Sequence, residues 1–132
     1  MADSWQDIGK FGEQVAGSYL SEKGYKILER NWRYRRGELD LVCRQGKVIV
    51  FVEVKTRSAQ GPARAVESLG YQQKQNLLRT ANHYLCMESL WENECRFDFI
   101  SVTIGNQVKV EHVQNAIEFS PVGGSNSPWQ PW

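Results

Sequence analysis

The sequence predicts a single α/β domain, in which a mixed β-sheet is flanked by two helices in the order α-β-β-β-α-β-β. Two segments carry apolar residues at helical spacing, and five others carry the alternating or β-branched apolar residues typical of strands. A length of 132 residues lies in the usual range for one domain, and 41% hydrophobic residues can supply a buried core. We therefore expect residues 1–119 to form one folded unit.

The first helix is predicted over Trp5–Lys23. Ser4 and Asp7 have the spacing of a capping box, apolar residues then recur at helical spacing, and Gly24 ends the pattern. An extended segment, Tyr25–Trp32, follows as the first strand. A basic segment that ends in glycine, Arg33–Gly37, follows this strand and is predicted to form a turn.

Two further strands, joined by a short turn, are predicted after this basic turn at Arg33–Gly37. The first contains Leu39, Leu41 and Cys43 in alternation, and the second, Lys47–Thr56, is dominated by β-branched residues. Gln45 and Gly46 separate them as a two-residue turn. A hairpin is the expected result.

The second half of the chain predicts one helix and two strands. A surface loop is predicted at Arg57–Leu69, where the hydrophobic residues have no clear period, and a helix at Tyr71–Met87, where they have helical spacing. A strand is predicted at Phe97–Ile104 and a short edge strand at Val108–Val113. Residues 120–132 are rich in Pro, Gly and Ser and are expected to form a flexible tail.

Charge and composition exclude several classes of protein. Sixteen Lys and Arg against fifteen Asp and Glu give a net charge of +1, which excludes a uniformly basic, histone-like protein. The longest apolar run, Val48–Val52, is far shorter than the ~20 residues of a membrane-spanning helix, so no membrane partner is expected. The acidic N-terminus lacks signal-peptide character, and three cysteines without CxxC spacing fit reduced thiols. We expect a cytoplasmic protein.

The third predicted strand carries the main physical oddity. Val48, Val50, Val52 and Val54 occupy one face, and apolar residues also begin the other face, so the strand is expected to be central. Glu53 and Lys55 continue that second face, where a lone carboxylate must be neutralised, paired or bound to a metal. An ion pair of Glu53 with Lys55, or of Glu38 with an arginine, is the simpler alternative.

The predicted hairpin turn sets the distance between the acids. With Gln45 and Gly46 at the turn, Asp40 lies opposite Phe51 and becomes a diagonal neighbour of Glu53 at about 5–8 Å. A slip of one residue would send the carboxylates to opposite faces. Oxygen ligands of this kind suit Mg²⁺ or Mn²⁺.

Two segments, Gly37–Val42 and Val50–Arg57, closely resemble the small bacterial YraN-like proteins, predicted endonucleases of the PD-(D/E)xK nuclease superfamily that are similar to archaeal Holliday-junction resolvases. The resemblance extends from Phe11 to Phe119 through Gly12-Glu13, Arg30-Asn31, Lys74 and Phe97-Asp98, and leaves out the tail. It implies a restriction-endonuclease-like core, a divalent-metal site and cleavage of DNA phosphodiester bonds.

The same resemblance implies roles for individual side chains. Asp40 and Glu53 would be metal ligands, Glu13 an accessory metal ligand, and Lys55 the residue that holds or activates water and stabilises the phosphate. On a helical wheel Glu13 lies at the margin of the apolar stripe, so it either points into a cleft or is a solvated helix residue. Glu38 is expected to pair with Arg35 or Arg36.

A local cluster of basic residues predicts where a polyanion would bind. Lys26, Arg30, Arg33, Arg35 and Arg36 place five positive charges within eleven residues. Trp32 and Tyr34 lie among them, a composition suited to phosphate contact and base stacking, although a solvated basic turn with Trp32 in the core is the alternative. Arg57 and Lys74 could extend this nucleic-acid-binding track.

The functional prediction is a metal-dependent, structure-preferring DNA endonuclease of repair or recombination, because no base-reading motif is present. A non-catalytic nucleic-acid-binding module and an RNA nuclease are the alternatives. Resolvase-like relatives act as dimers, which makes a homodimer a further expectation.

Overall fold

A computed structural model describes residues 5–59 and 70–117, with backbone alone at positions 5 and 6. It confirms the predicted element order and an α/β architecture consistent with a restriction-endonuclease-like core. The elements are α1 (Trp5–Glu22), β1 (Lys26–Tyr34), β2 (Gly37–Gln45), β3 (Val48–Ser58), α2 (Tyr71–Met87), β4 (Cys95–Ile104) and β5 (Val108–Ile117). The predicted tail, residues 120–132, and most of the loop predicted at Arg57–Leu69 lie outside the described residues.

The five strands form one mixed sheet in the order β1-β2-β3-β4-β5. β3 and β4 are parallel, while the other neighbours are antiparallel. Parallel neighbours need a crossover connection, and α2 lies in the segment between them. β3 is therefore the central strand, as its sequence predicts.

Each face of the sheet has its own apolar core under one helix. On the α1 face, Ala16 and Leu20 pack with Val50 and Val52 of β3. On the α2 face, Leu77 and other apolar residues of the helix pack over Ile49 and Phe51 of the same strand. Alternation along a strand produces this division, because successive side chains point to opposite faces. The buried valines and Phe51 confirm that both faces of β3 are covered.

The hairpin between β2 and β3 differs from the prediction by one residue at the turn. Gln45 pairs with Val48, so Gly46 and Lys47 are the central residues. Gly46 has a φ of 61°, and glycine at the first central position is the usual solution for a type II′ turn. Moving the turn by one residue shifts the pairing by two, so Leu41 and Cys43 stay on one face with Val50 and Val52, whereas Leu39 joins the core on the α2 face.

Strand ends were wrong in four places, and two of them concern β3, which continues through Arg57 to Ser58 where a loop was predicted, and β4, which begins at Cys95 rather than Phe97. The other two lie in the outer strands of the sheet. β1 continues through Tyr34, so the predicted basic turn contracts to Arg35 and Arg36, and β5 extends to Ile117 rather than ending at Val113. Both errors extend a strand into polar residues, which pairing with a neighbouring strand stabilises regardless of local pattern.

Asp98 has the basic partners that its buried position requires. Its side chain is fully buried and accepts hydrogen bonds from Arg96 at 2.8 and 3.0 Å and from the backbone N–H of Asn115 at 3.2 Å. Its other close neighbour is Nε2 of His112, at 2.7 Å. This buried network joins β4 to β5 and serves the fold.

The three cysteines are free: Cys43 is buried, Cys95 is half-buried and Cys86 is exposed, which fits the predicted reduced thiols. Within residues 5–59 and 70–117, neither helix combines the length and apolar character needed to cross a membrane.

Candidate active site

β2 and β3 separate at the position of Asp40. Their ladder runs from Gln45–Val48 to Leu41–Val52 and stops there, although both strands continue. Just beyond the last pair, Oδ2 of Asp40 accepts a hydrogen bond from the backbone N–H of Val54 at 2.8 Å. A side-chain carboxylate thus replaces a backbone carbonyl at the fork between the two strands.

The fork brings Asp40 and Glu53 into direct contact. The register places Asp40 next to the Leu41–Val52 pair, across from Glu53 and not diagonal to it, and a hydrogen bond between the two side chains contributes to the pKa of each. Burial raises the pKa of Glu53 to about 9, and the negative charge of Asp40 adds to the rise. Burial also raises the pKa of Asp40 to about 6, against the opposing effect of the Val54 hydrogen bond. Without a cation, the pair therefore retains a proton at neutral pH.

Lys55 lies close enough for its positive charge to lower the pKa of Glu53, which partly offsets the effect of burial. Both residues alternate with the buried Val54 and lie on the same side of β3. The structure therefore places one ammonium group beside two acids.

A close approach of α1 to β3 brings Glu13 towards the fork. A Cβ atom added at Gly12 would collide with the side chain of Thr56, so only glycine permits this separation. Glu13 follows directly and is half-buried. Its negative charge contributes to the raised pKa of Asp40, which shows that the two acids face a common region.

Asn31 holds Glu13 at the margin of the site, a role that the sequence did not indicate. Burial raises the pKa of Glu13, and a hydrogen bond with the Asn31 side chain opposes that rise. Asn31 has a φ of 52°, a left-handed conformation that asparagine tolerates better than most residues. An asparagine within a strand is the signal that could have revealed it. Glu13 and Asn31 line a cleft of about 270 Å³ together with Lys10, Gln14, Arg30 and Leu41.

Glu38 pairs with Arg33 and not with the arginines of the turn. Arg33 and Glu38 are partners across the β1–β2 ladder, and Nη2 of the arginine lies 3.5 Å from Oε2 of the glutamate. Both side chains are substantially exposed, so the pair contributes little stability. Arg33 was predicted to lie in the turn, but β1 extends through Tyr34, so Arg33 lies across from Glu38 in the ladder.

The donor set fits a hard divalent cation. Asp40 and Glu53 offer two adjacent carboxyl groups whose shared proton a cation would replace, and Mg²⁺ uses one or two protein carboxylates while retaining several waters. In the described segments, no three His, Cys, Asp or Glu side chains form a ready-made metal cluster. Glu13 therefore lies near the acid pair without joining it.

The predicted nucleic-acid-binding residues do not all lie in one place. Arg30 packs against Gly17 of α1 and lines the same cleft as Glu13, whereas Arg35 and Arg36 line a second cleft beside α2. Lys74 lies half-buried in the first turns of α2. Arg30, Arg35 and Arg36 are close together in the sequence, but the structure places them in two different clefts.

Trp32 belongs to the α2-side core. Its ring contacts Tyr84 edge to face at 5.1 Å and stacks on Tyr34 at 6.0 Å. The interpretation of Trp32 as a core residue is therefore the one the structure supports.

Arg57 follows Lys55 on the same side of β3. Its Nε and Nη1 atoms are buried and have no hydrogen-bond partner within the part of the chain that the structure describes. A buried guanidinium with unmet donors is costly, and an anionic ligand would satisfy it.

A family model described as "Uncharacterised protein family UPF0102" matches residues 12–102, a segment that includes Glu13, Asp40, Glu53 and Lys55. The chain belongs to the UPF0102 family. A UPF0102 protein of Nitratidesulfovibrio vulgaris is 39% identical over 134 residues, with 100% of both chains covered. A UPF0102 protein of Lawsonia intracellularis is 41% identical over 128 residues, covering 96% of this chain and 97% of that relative.

Among solved structures, the UPF0102 chain is similar to that of SfsA from Pyrococcus furiosus in complex with Ca²⁺, with a TM-score of 0.36 and 14% identity. The match covers 84% of this chain and 64% of that chain. The UPF0102 description names no reaction.

Proposed function

We propose that this UPF0102 protein is a divalent-metal-dependent endonuclease that hydrolyses DNA phosphodiester bonds, with a preference for branched or junction DNA. The observation that carries the proposal is the contact between Asp40 and Glu53 at the strand fork, beside Lys55. Two half-buried acids in contact destabilise a fold unless a proton neutralises one of them or a cation binds between them. Such an arrangement is typical of a binding site and unnecessary for structure alone.

The proposed cofactor is Mg²⁺ or Mn²⁺, held by Asp40 and Glu53. When bound, such an ion polarises a phosphoryl oxygen and lowers the pKa of a water molecule. Glu13 lies on the side of α1 that faces Asp40, where it can orient a water by hydrogen bonding. Asn31 keeps that carboxylate in place.

Lys55 supplies positive charge where the phosphate becomes more negative in the transition state. In hydrolysis, water forms a bond to phosphorus, the bond from phosphorus to one sugar oxygen breaks, and that oxygen takes up a proton. An ammonium group beside the acids stabilises the added charge without competing for the cation. The N–H groups of Arg57 that have no partner among the described residues lie two residues further along β3 and are suited to a second phosphate oxygen.

A DNA substrate accounts for the uneven charge distribution. The net charge is only +1, yet arginines lie in both clefts beside the β1–β2 hairpin, which is the local pattern required of a polyanion site. The preference for branched DNA rests on the resemblance to Holliday-junction resolvases and on the lack of a base-reading motif in the sequence.

The test is cleavage of labelled substrates by the full chain, first freed of metal with a chelator and then supplied with Mg²⁺ or Mn²⁺. Four-way-junction DNA, duplex DNA, single-stranded DNA and RNA are compared. Asp40→Asn, Glu53→Gln and Lys55→Met should each reduce cleavage by about 100-fold or more, because each removes a charge that acts in the transition state.

Glu111→Gln, on the exposed side of the edge strand β5, is the matched control and should cleave as the unchanged protein does. Circular dichroism checks that every variant is folded. Metal-independent cleavage, or cleavage that survives Glu53→Gln, would refute the proposal. Binding without cleavage would favour the non-catalytic module, and cleavage restricted to RNA would favour the RNA nuclease.

A further inference from the structure

A cleft separate from the acid pair opens between the β1–β2 turn and α2. It has a volume of about 530 Å³, and its walls combine the turn with one face of the helix. We call it the hairpin cleft and define it by six polar residues: Arg35, Arg36, Asn76, Arg79, Thr80 and His83. None of the described residues that line it is Asp or Glu.

Close packing of the hairpin on α2 creates the cleft. A Cβ atom added at Gly37 would collide with the Thr80 side chain, so glycine allows β2 to approach the helix at this point. Thr80 in turn donates a hydrogen bond from Oγ1 to the backbone carbonyl of Asn76 at 2.8 Å. The end of the hairpin is thereby fixed against the helix, and the turn residues face the polar surface of α2.

A row of aromatic rings supports the cationic wall. Tyr34 stacks on Trp32 at 6.0 Å and contacts His83 at 4.7 Å. The guanidinium of Arg35 lies 5.2 Å from the centre of the Tyr34 ring, within the range of a cation–π interaction. The Tyr34 ring thus has three close neighbours, and it positions the arginine.

The turn has a charged residue at a position where glycine or asparagine would be less strained. Arg35 has a φ of 57°, a left-handed conformation that glycine or asparagine adopts with less strain. Arg36 follows at the second central position. Two consecutive arginines at a strained turn, in a cleft that no Asp or Glu of the described segments lines, are best explained by an anionic ligand.

The position of the cleft identifies which anion it suits. Gly37 at its edge lies three residues before Asp40 on β2, roughly 10 Å along the strand. This separation corresponds to about three base steps of a nucleic-acid strand. We propose that the hairpin cleft binds a backbone phosphate of the nucleic acid on which the acid pair acts, a few nucleotides from the bond that is cleaved.

This inference rests on the proposed function, but its test measures binding in excess chelator and needs no cleavage. Fluorescence anisotropy gives the affinity of the full chain for labelled single-stranded and duplex DNA over a series of salt concentrations. Arg35→Asn and Arg79→Gln each remove one cleft charge. Each should weaken binding by about tenfold at low salt and reduce the slope of log affinity against log salt by about 0.7–0.9.

Lys109→Gln removes one exposed positive charge from β5, at the opposite edge of the sheet, and is the control for net charge. It should leave the salt slope unchanged. Arg35→Asn should also retain or raise the melting temperature, because asparagine relieves the left-handed strain, so a loss of binding cannot be attributed to unfolding.

No binding by the unchanged protein, or equal slopes for the cleft variants and Lys109→Gln, would overturn the inference. If the protein cleaves nucleic acid but the cleft variants bind it as the unchanged protein does, the inference is overturned and the proposed function stands. Binding through the cleft without cleavage on adding metal would support a phosphate site in the cleft and refute the proposed function.

Discussion

The carboxylate of Asp40 on β2 is anchored to β3, because its Oδ2 accepts the backbone N–H of Val54 at 2.8 Å. The hydrogen bond lies just beyond the end of the β2–β3 ladder, where the strands have begun to separate. One oxygen of the acid is thereby fixed next to Glu53 before any ligand arrives. Such preorganisation is expected of a binding site supported by rigid strands.

Asp40→Ala should be less stable than Asp40→Asn by about 1–3 kcal/mol in chelator at pH 7. Both substitutions remove the negative charge next to Glu53, but only asparagine retains an oxygen that can accept the Val54 N–H. Urea unfolding measures the difference. Equal stability of the two variants would show that the Val54 hydrogen bond adds nothing to the fold.

The metal-free protein should lose stability as the pH rises from about 4.5 to about 9. Glu53 has a pKa of about 9 in the fold against 4.5 without it, so the unfolded chain releases a proton that the folded chain retains. The free energy of unfolding should fall with a slope approaching about 1.4 kcal/mol per pH unit. Glu53→Gln should flatten this slope, as urea unfolding at several pH values can establish. A Glu53→Gln variant with the original pH dependence would contradict the assignment.

Mg²⁺ or Mn²⁺ should stabilise the chain through the acid pair. At a concentration 100 times the dissociation constant, the ion adds about 2.7 kcal/mol to the free energy of unfolding. Differential scanning fluorimetry should show a rise in melting temperature for the unchanged protein and for Glu111→Gln, and none for Glu53→Gln. Similar rises in all three proteins would indicate binding elsewhere.

Gly12→Ala and Gly9→Ala should change stability in opposite directions. At Gly12 the new methyl group meets Thr56, whereas at Gly9 nothing lies within 4 Å. We expect a loss of about 1–3 kcal/mol at the first position and a gain of up to about 1 kcal/mol at the second. Adding Thr56→Ala to Gly12→Ala should recover part of the loss in thermal unfolding. Two stabilising substitutions would contradict the close contact between α1 and β3.

Arg57→Met should preserve or increase stability while weakening nucleic-acid binding. Methionine fills similar space and removes buried N–H groups that have no partner in the described part of the chain. The melting temperature should therefore stay the same or rise, while the nucleic-acid affinity measured by fluorescence anisotropy should fall. A large loss of stability would instead mean that the guanidinium has a structural role.

The strand pattern of β3 was sufficient to predict a central strand with an anomalous acid on it, because alternation reports burial on each face separately. That Asp40 lies near Glu53 was also predictable, because a shift of the pairing by two keeps the two acids close. Their direct contact was not predictable, because it depends on the position of the turn and on where the ladder stops. Arg30 and Arg35 were grouped because they are neighbours in sequence, and the structure places them in two different clefts.

Local chemistry in the chain alone determined the helices, the strands, the family resemblance and the acids that need compensation, because each follows from residue type and spacing over short distances. The tertiary structure decided how those pieces meet. It brought Asn31 to Glu13, formed the hairpin cleft from β1, β2 and α2, and joined Asp98 to His112. These contacts link segments far apart in the chain, and packing between elements sets them, so no local pattern encodes them.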